Sequence, residues 1–170
     1  MILNIESILN YDGRKIPIEA ELDISEDKRD AFKIVSPVKI AGEIVNFGGE
    51  LELTLSAETE LRLACDRCAE EYERGFEFQI FERFRHRDQD EAGNDNDNEN
   101  PEVTYFSGDS IDLSDIVYSN LILNMPAKNL CKDDCKGLCP ICGANLNDKT
   151  CDCSEEITDP RFDILDSLDL

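Results

Sequence analysis

The sequence predicts an α+β fold, mainly antiparallel β, with one packed helix and a small C-terminal Cys-rich module. Three observations predict it. Apolar side chains alternate with a period of two between Leu51 and Phe84, an apolar stripe of helical period runs from Leu113 to Met125, and six of eight cysteines follow Leu130.

The β core is expected over residues 1–87. Phe32 to Phe47 is rich in Ile and Val and suits one or two strands, and Gly48-Gly49 supplies the turn after it. Leu51, Leu53, Leu55 and Ala57, then Leu61, Leu63 and Cys65, alternate with Glu50, Glu52, Ser56, Arg62 and Ala64, the pattern of half-buried strands. Phe76, Phe78 and Ile80 resume the alternation and run on to Phe84. Cys65-Asp66-Arg67-Cys68 lies between two such strands and should be a hairpin tip. Together these give a meander of about five to seven strands, a sandwich or partly open barrel.

Residues 88–102 hold seven acids, no base and no apolar side chain larger than Ala92, which predicts a disordered acidic linker. Asp95, Asp97 and Glu99 resemble the start of a calcium loop, but Asn100 stands where the sharp-turn Gly belongs and Phe106 where the bidentate Glu belongs. Residues 103–126 complete the core with a short strand at Val103–Phe106 and a helix over Ile111–Met125. Asp112 is its N-cap, Leu113, Ile116, Val117, Leu121 and Met125 form its buried face, and Pro126 stops it. Residues 127–170 form the Cys-rich module and a tail with a short amphipathic piece at Arg161–Leu168. No internal repeat is visible.

At 170 residues the chain can bury a real core without help from cysteines. Met1–Arg14 has no continuous apolar run of the secretory kind, and no later stretch reaches the roughly 18 apolar residues of a membrane span. The expectation is a soluble, cytoplasmic protein. Its thiols would meet a reducing compartment, where clustered cysteines hold metal rather than disulfides. A formal charge of −22 opposes binding to naked RNA or anionic membrane. The charge is uneven: in residues 126–153, Lys128, Lys132, Lys136 and Lys149 balance Asp133, Asp134, Asp148 and Asp152.

The strongest chemical motif is Cys139-Pro140-Ile141-Cys142-Gly143. A Cys-x2-Cys turn places two thiolates on one ion while backbone N–H groups face the sulfurs, and the following Gly accommodates positive φ. Structural zinc takes four ligands, so two more are needed. Cys139, Cys142, Cys151 and Cys153 are the favoured set of a zinc-ribbon-like module, with the turn through Asn145-Leu146-Asn147 returning the second pair. Cys131, Cys135, Cys65 and Cys68 are alternative or second-site ligands, because eight thiols suffice for one ion or two. Iron–sulfur spacings are absent.

Little else carries chemistry. Cys65 and Cys68 have the spacing of a redox dithiol but no helix or βαβ setting, and Arg67 alone is a weak activator. His86 is the single histidine, so no Ser-His-Asp set exists, and there is no Gly-rich phosphate loop. Arg83, Arg85 and Arg87 around Phe84 and His86 make the one basic cluster with interleaved aromatics and the best candidate for RNA contact, but the acids of Asp88 to Glu102 follow at once and are expected to screen it. The chain is therefore expected not to be an enzyme.

The chain also resembles the YceD-like family, the large ribosomal RNA subunit accumulation proteins. The resemblance runs through Leu63–Cys68, Ile111–Asp115, Leu121–Pro126, Cys131–Asn147, Cys151–Cys153 and Asp159–Phe162. It implies a ribosome biogenesis role, supporting accumulation of the large-subunit (23S) rRNA. The implied partner is a basic large-subunit ribosomal protein of zinc-ribbon type or a pre-ribosomal particle. Two alternatives stand beside it: a zinc-handling protein that supplies a ribosomal zinc ribbon, and a Cys65/Cys68 thiol oxidoreductase.

Overall fold

The structure, a computed structural model, describes residues 1–24, 32–86 and 103–153. The acidic linker expected at 88–102, Arg87 and the amphipathic piece at 161–168 lie outside the described residues. The chain divides into two compact units. One is Met1–Leu63 with Glu71–Ala127, the other Ala64–Glu70 with Lys128–Leu170.

The first unit is mostly antiparallel sheet with two helices. Its elements are β1 (Ile2–Asn4), α1 (Glu6–Leu9), β2 (Lys15–Leu22), β3 (Phe32–Ile34), β4 (Val38–Phe47), β5 (Glu50–Ala64), β6 (Glu71–His86), β7 (Thr104–Phe106), β8 (Ser110–Asp112) and α2 (Leu113–Asn124). The main sheet has the order β2-β4-β5-β6-β7, with β3 also paired to β5, while β1 and β8 form a separate two-stranded ribbon. Among the described residues the strand order is open, with β2 and β7 at its ends. It is also not a plain meander, because β7 returns parallel to β6. A parallel neighbour cannot be reached through a tight hairpin turn. The long hydrophilic insert between β6 and β7 gives no periodic signal from which that return could be read.

The fifteen-residue strand β5 is the spine of this unit. Its alternation holds from Leu51 to Leu63, all seven odd positions being buried. Six are apolar, and the seventh, Thr59, is satisfied by donating from Oγ1 to the Ser36 carbonyl at 2.9 Å. Helix α2 supplies the rest of the cover. Leu113, Val117 and Leu121 are fully buried, Ile116 and Met125 pack beside them, and the expected cap is present, with Ser114 N–H donating to Asp112 Oδ1 at 2.9 Å. This geometry holds the Asp112 carboxyl below its ordinary value, chiefly through that backbone bond. Sequence pattern did not reveal α1 or the residue that anchors it. Asn46 is buried and donates from Nδ2 to the carbonyls of Ile8 (2.6 Å) and Leu9 (2.9 Å), closing the end of a helix too short to persist alone.

Gly42 in β4 faces Leu55 across the ladder, and a Cβ there would lie 2.0 Å from the Thr54 carbonyl oxygen. Gly75 in β6 has open space around the same position. Gly42→Ala should therefore force β4 and β5 apart and cost about 1–3 kcal/mol. Gly75→Ala should stay within about 0.5 kcal/mol of the parent. Urea unfolding of both variants checks this, and equal effects would refute the close approach.

Candidate metal centre

Cys65 and Cys68 occupy the turn between β5 and β6, where the expected hairpin tip lies. Cys65 N–H donates to the Glu70 carbonyl (2.9 Å), Ala69 N–H donates to the Cys65 carbonyl (2.8 Å), and Ala69 has φ +60°. The segment from Cys139 to Ala144 repeats this turn bond for bond. Cys139 N–H donates to the Ala144 carbonyl (2.8 Å), Gly143 N–H donates to the Cys139 carbonyl (2.9 Å), and Gly143 has φ +69°. Leu138 and Asn145 form a single antiparallel bridge at its base. The chain thus contains two Cys-x2-Cys knuckles of one design. The second is legible in the sequence because Gly takes the positive-φ position; in the first, Ala hides it.

Each knuckle meets a second pair of thiols. The sulfurs of Cys139, Cys142, Cys151 and Cys153 lie within 4.8 Å of one another, and so do those of Cys65, Cys68, Cys131 and Cys135. The structure therefore brings together the favoured set, and it assembles the four remaining cysteines into a set of their own. A tetrahedral ion with bonds of about 2.3 Å sets its ligand sulfurs roughly 3.8 Å apart. Cys65 to Cys135 and Cys68 to Cys131 are both 3.7 Å, so the donors fit such an ion in kind, number and spacing.

Around the 65/68/131/135 set the backbone is tied tightly. Asp66 N–H donates to the Asn129 carbonyl (2.8 Å), Asn129 N–H returns to Asp66 Oδ2 (2.6 Å), and Leu138 N–H donates to the Arg67 carbonyl (3.0 Å). Arg67 Nη1 donates to the Cys135 carbonyl (2.8 Å). Asn147, from the loop between Cys142 and Cys151, donates from Nδ2 to Cys135 Sγ (3.3 Å) and accepts at Oδ1 from Lys136 N–H (2.9 Å). Sequence reasoning used Asn147 only as a turn residue; nothing local marks it as a partner to a distant sulfur.

The thiols of each set are driven apart in acidity. Burial works to raise Cys65, but the backbone amides of Cys131, Cys68 and Arg67 overcome it and hold the thiol at about 6. The amides of Cys142 and Ile141 bring Cys139 to about 6. Burial and the neighbouring sulfurs push Cys131 up to about 12, and Cys142 and burial do the same to Cys153. Cys68 and Cys151 are also raised, against the pull of the Glu70 and Cys153 amides respectively. Four sulfurs this close do not all ionise without a cation among them, and a divalent metal makes thiolates of all four.

The other residues singled out by sequence are placed as follows. His86 is exposed at the end of β6, edge-on to Phe106 at 5.3 Å between ring centres. Arg83 (3.8 Å) and Arg85 (2.9 Å) both pair with Glu50 of the adjacent strand β5, one carboxylate between two guanidinium groups.

The family described as "Large ribosomal RNA subunit accumulation protein YceD" matches residues 53–169, a stretch that takes in all eight cysteines. A protein of Arabidopsis thaliana named "Large ribosomal RNA subunit accumulation protein YCED homolog 1, chloroplastic" is 38% identical over 58 residues, which are 34% of this chain and 18% of that relative. The match thus spans less than a fifth of the relative's length. No solved structure matches.

Native mass spectrometry of the zinc-loaded chain should show two ions, and Cys139→Ser or Cys142→Ser should each remove one. Full zinc content in both variants would sink the second knuckle as a metal site. Cys68, Cys131, Cys151 and Cys153, held above the ordinary thiol range, carry protons at neutral pH that the metal must displace. Zinc loading should therefore release protons in a weakly buffered titration, and affinity should fall as pH falls. A zinc affinity independent of pH would refute the thiolate site.

Proposed function

The chain belongs to the YceD family of large ribosomal RNA subunit accumulation proteins, and from that premise we propose that it acts as a non-enzymatic assembly factor with structural zinc. It supports accumulation of large-subunit rRNA by holding a basic ribosomal protein, or a particle that displays one, during assembly. The observation that carries this reading is the distribution of charge on the sheet. Glu19, Glu21, Glu58, Glu60 and Glu77 surround two adjoining open grooves of about 650 and 430 Å³ on β2, β4, β5 and β6, with Lys39 among them. Lys39 is already paired with Glu58 (3.5 Å), so the field there is negative, in keeping with the −22 of the whole chain. Such a face attracts a cationic polypeptide and repels phosphates.

The oxidoreductase alternative gains nothing from the site. Cys65 and Cys68 are buried, 2% and 4% exposed, and each faces another cysteine rather than an open cleft. A dithiol that exchanges with a substrate disulfide needs an accessible attacking sulfur. No described helix is long and apolar enough to cross a membrane, and we place the protein in the cytoplasm, where the thiols would stay reduced.

The test is a pair of titrations across ionic strength, one with a large-subunit rRNA fragment and one with basic large-subunit ribosomal proteins. RNA alone should bind no better than the non-specific range of ~10⁻⁴–10⁻⁶ M at physiological salt. A ribosomal protein should bind more tightly, with affinity falling as salt rises and falling further in a Glu19→Gln, Glu21→Gln, Glu77→Gln triple variant. Nanomolar binding to the RNA with no affinity for any of the proteins would move the function to direct RNA recognition.

A further inference from the structure

The two thiol sets share one knuckle design but differ in access and in chain topology. Three sulfur-bearing residues of the 65/68/131/135 set are buried, Cys135 being 1% exposed, and Cys131 is half-buried. In the other set Cys139 is buried, Cys151 and Cys153 are half-buried and Cys142 is exposed. Its knuckle also presents the exposed Ile141 and Leu138 to solvent.

Topology sharpens the contrast. The first set joins sulfurs 63 and 70 residues apart in sequence, and its backbone is cross-tied by the Asp66–Asn129 and Arg67–Leu138 hydrogen bonds. Gly137 is pressed against the Arg67 carbonyl as well, so that a Cβ there would sit 3.0 Å from the oxygen. Freeing an ion from this set means undoing that whole arrangement. The second set is drawn from one short run, Cys139 to Cys153, whose described backbone bonds are its own knuckle, the short turn at Asn145 and one bond outward, from Leu146 N–H to the Gly137 carbonyl (2.9 Å). Its opening at Cys142 leaves the Asp66–Asn129 and Arg67–Leu138 ties of the first set made, and an opening that reaches Leu146 and Asn147 gives up only their bonds to Gly137, Lys136 and Cys135.

Zinc leaves a thiolate site when an incoming ligand reaches the metal and replaces the resident sulfurs one at a time, so access at a single edge decides the rate. Cys142 is that edge. We propose that the two sets hold zinc with unequal exchange. The 65/68/131/135 ion is permanent, whereas the 139/142/151/153 ion is exchangeable and can be donated by direct ligand replacement to a thiol-rich zinc acceptor. No redox change is involved: the acceptor's thiolates form bonds to zinc as those of Cys142 and its neighbours break, and the released cysteines take up protons. The inference rests on the metal reading of both sets and adds a zinc-donor activity to the assembly role.

The experiment uses the full chain loaded with two zinc ions. It is challenged with the chelator 4-(2-pyridylazo)resorcinol, sampled over time, alkylated with N-ethylmaleimide, and mapped by peptide mass spectrometry. One ion should leave at least about tenfold faster than the other, with Cys139, Cys142, Cys151 and Cys153 alkylated in step with it while Cys65, Cys68, Cys131 and Cys135 stay protected. A metal-free zinc-ribbon peptide with four cysteine ligands, used in place of the chelator, should take up the same single ion. Simultaneous loss of both ions, or earlier alkylation of the buried set, overturns the inference and leaves the metal sites standing. A chain that cannot be loaded with two ions overturns the metal reading itself. Because the mapping is done on the unaltered protein, the result does not depend on any cysteine variant folding.

Discussion

Strand β5 pairs with β3, β4 and β6, and its uninterrupted two-residue alternation is the constraint on which the rest of the first unit depends. A slip of one residue would turn seven buried side chains to the other face, so the register against β4 is fixed by burial alone. Past Leu63 the chain enters the first knuckle, where Cys65 is buried within the Cys-rich unit beside Cys135. Burial is what makes the surroundings of Cys65 matter: a sulfur out of water is ionised by backbone amides or by a metal, and this turn supplies the former in advance of the latter.

How much of this was legible follows from which signals are local. β5, the long β6 and helix α2 with its Asp112 cap are encoded by period and capping chemistry within one segment; β6 starts at Glu71, ahead of the alternation that opens at Phe76, and α2 starts at Leu113, the expected first residue Ile111 lying in β8. α1, the β1–β8 ribbon and the parallel return of β7 depend on contacts between segments far apart in sequence. A four-residue helix anchored by Asn46 has no period of its own. The open sheet was likewise hidden, because alternation tells which face of a strand is covered and not whether a second sheet or a helix covers it.

The metal site divides along the same line. Cys139 and Cys142 could be read from spacing and the following Gly, and their grouping with Cys151 and Cys153 needs only a short return of the chain. The grouping of Cys65 and Cys68 with Cys131 and Cys135 requires the hairpin tip to meet a segment more than sixty residues away, which spacing cannot express. Ala69 adds a second disguise. It holds the left-handed conformation that usually announces itself as Gly, a conformation the surrounding knuckle bonds impose.

Asn147 ties these levels together. It lies inside the loop that the second set closes, yet its amide donates to Cys135 of the first set and its carbonyl oxygen accepts from Lys136. The two four-sulfur sets are thus independent in their ligands, and Asn147, with Asn145 on Glu70 and Leu146 on the Gly137 carbonyl, helps hold the buried set in shape from the loop of the other. The arrangement assigns different physical roles to thiols that look alike in sequence. The long-range set closes a loop of more than sixty residues, where a cross-link removes the most chain entropy, and the short-range set closes one too small to need it. Metal bound in both sets would therefore stabilise the Cys-rich unit mainly through the buried one. A change of occupancy in the other set would reach the rest of the unit through Asn147, Asn145 and Leu146, whose bonds lead out of its loop.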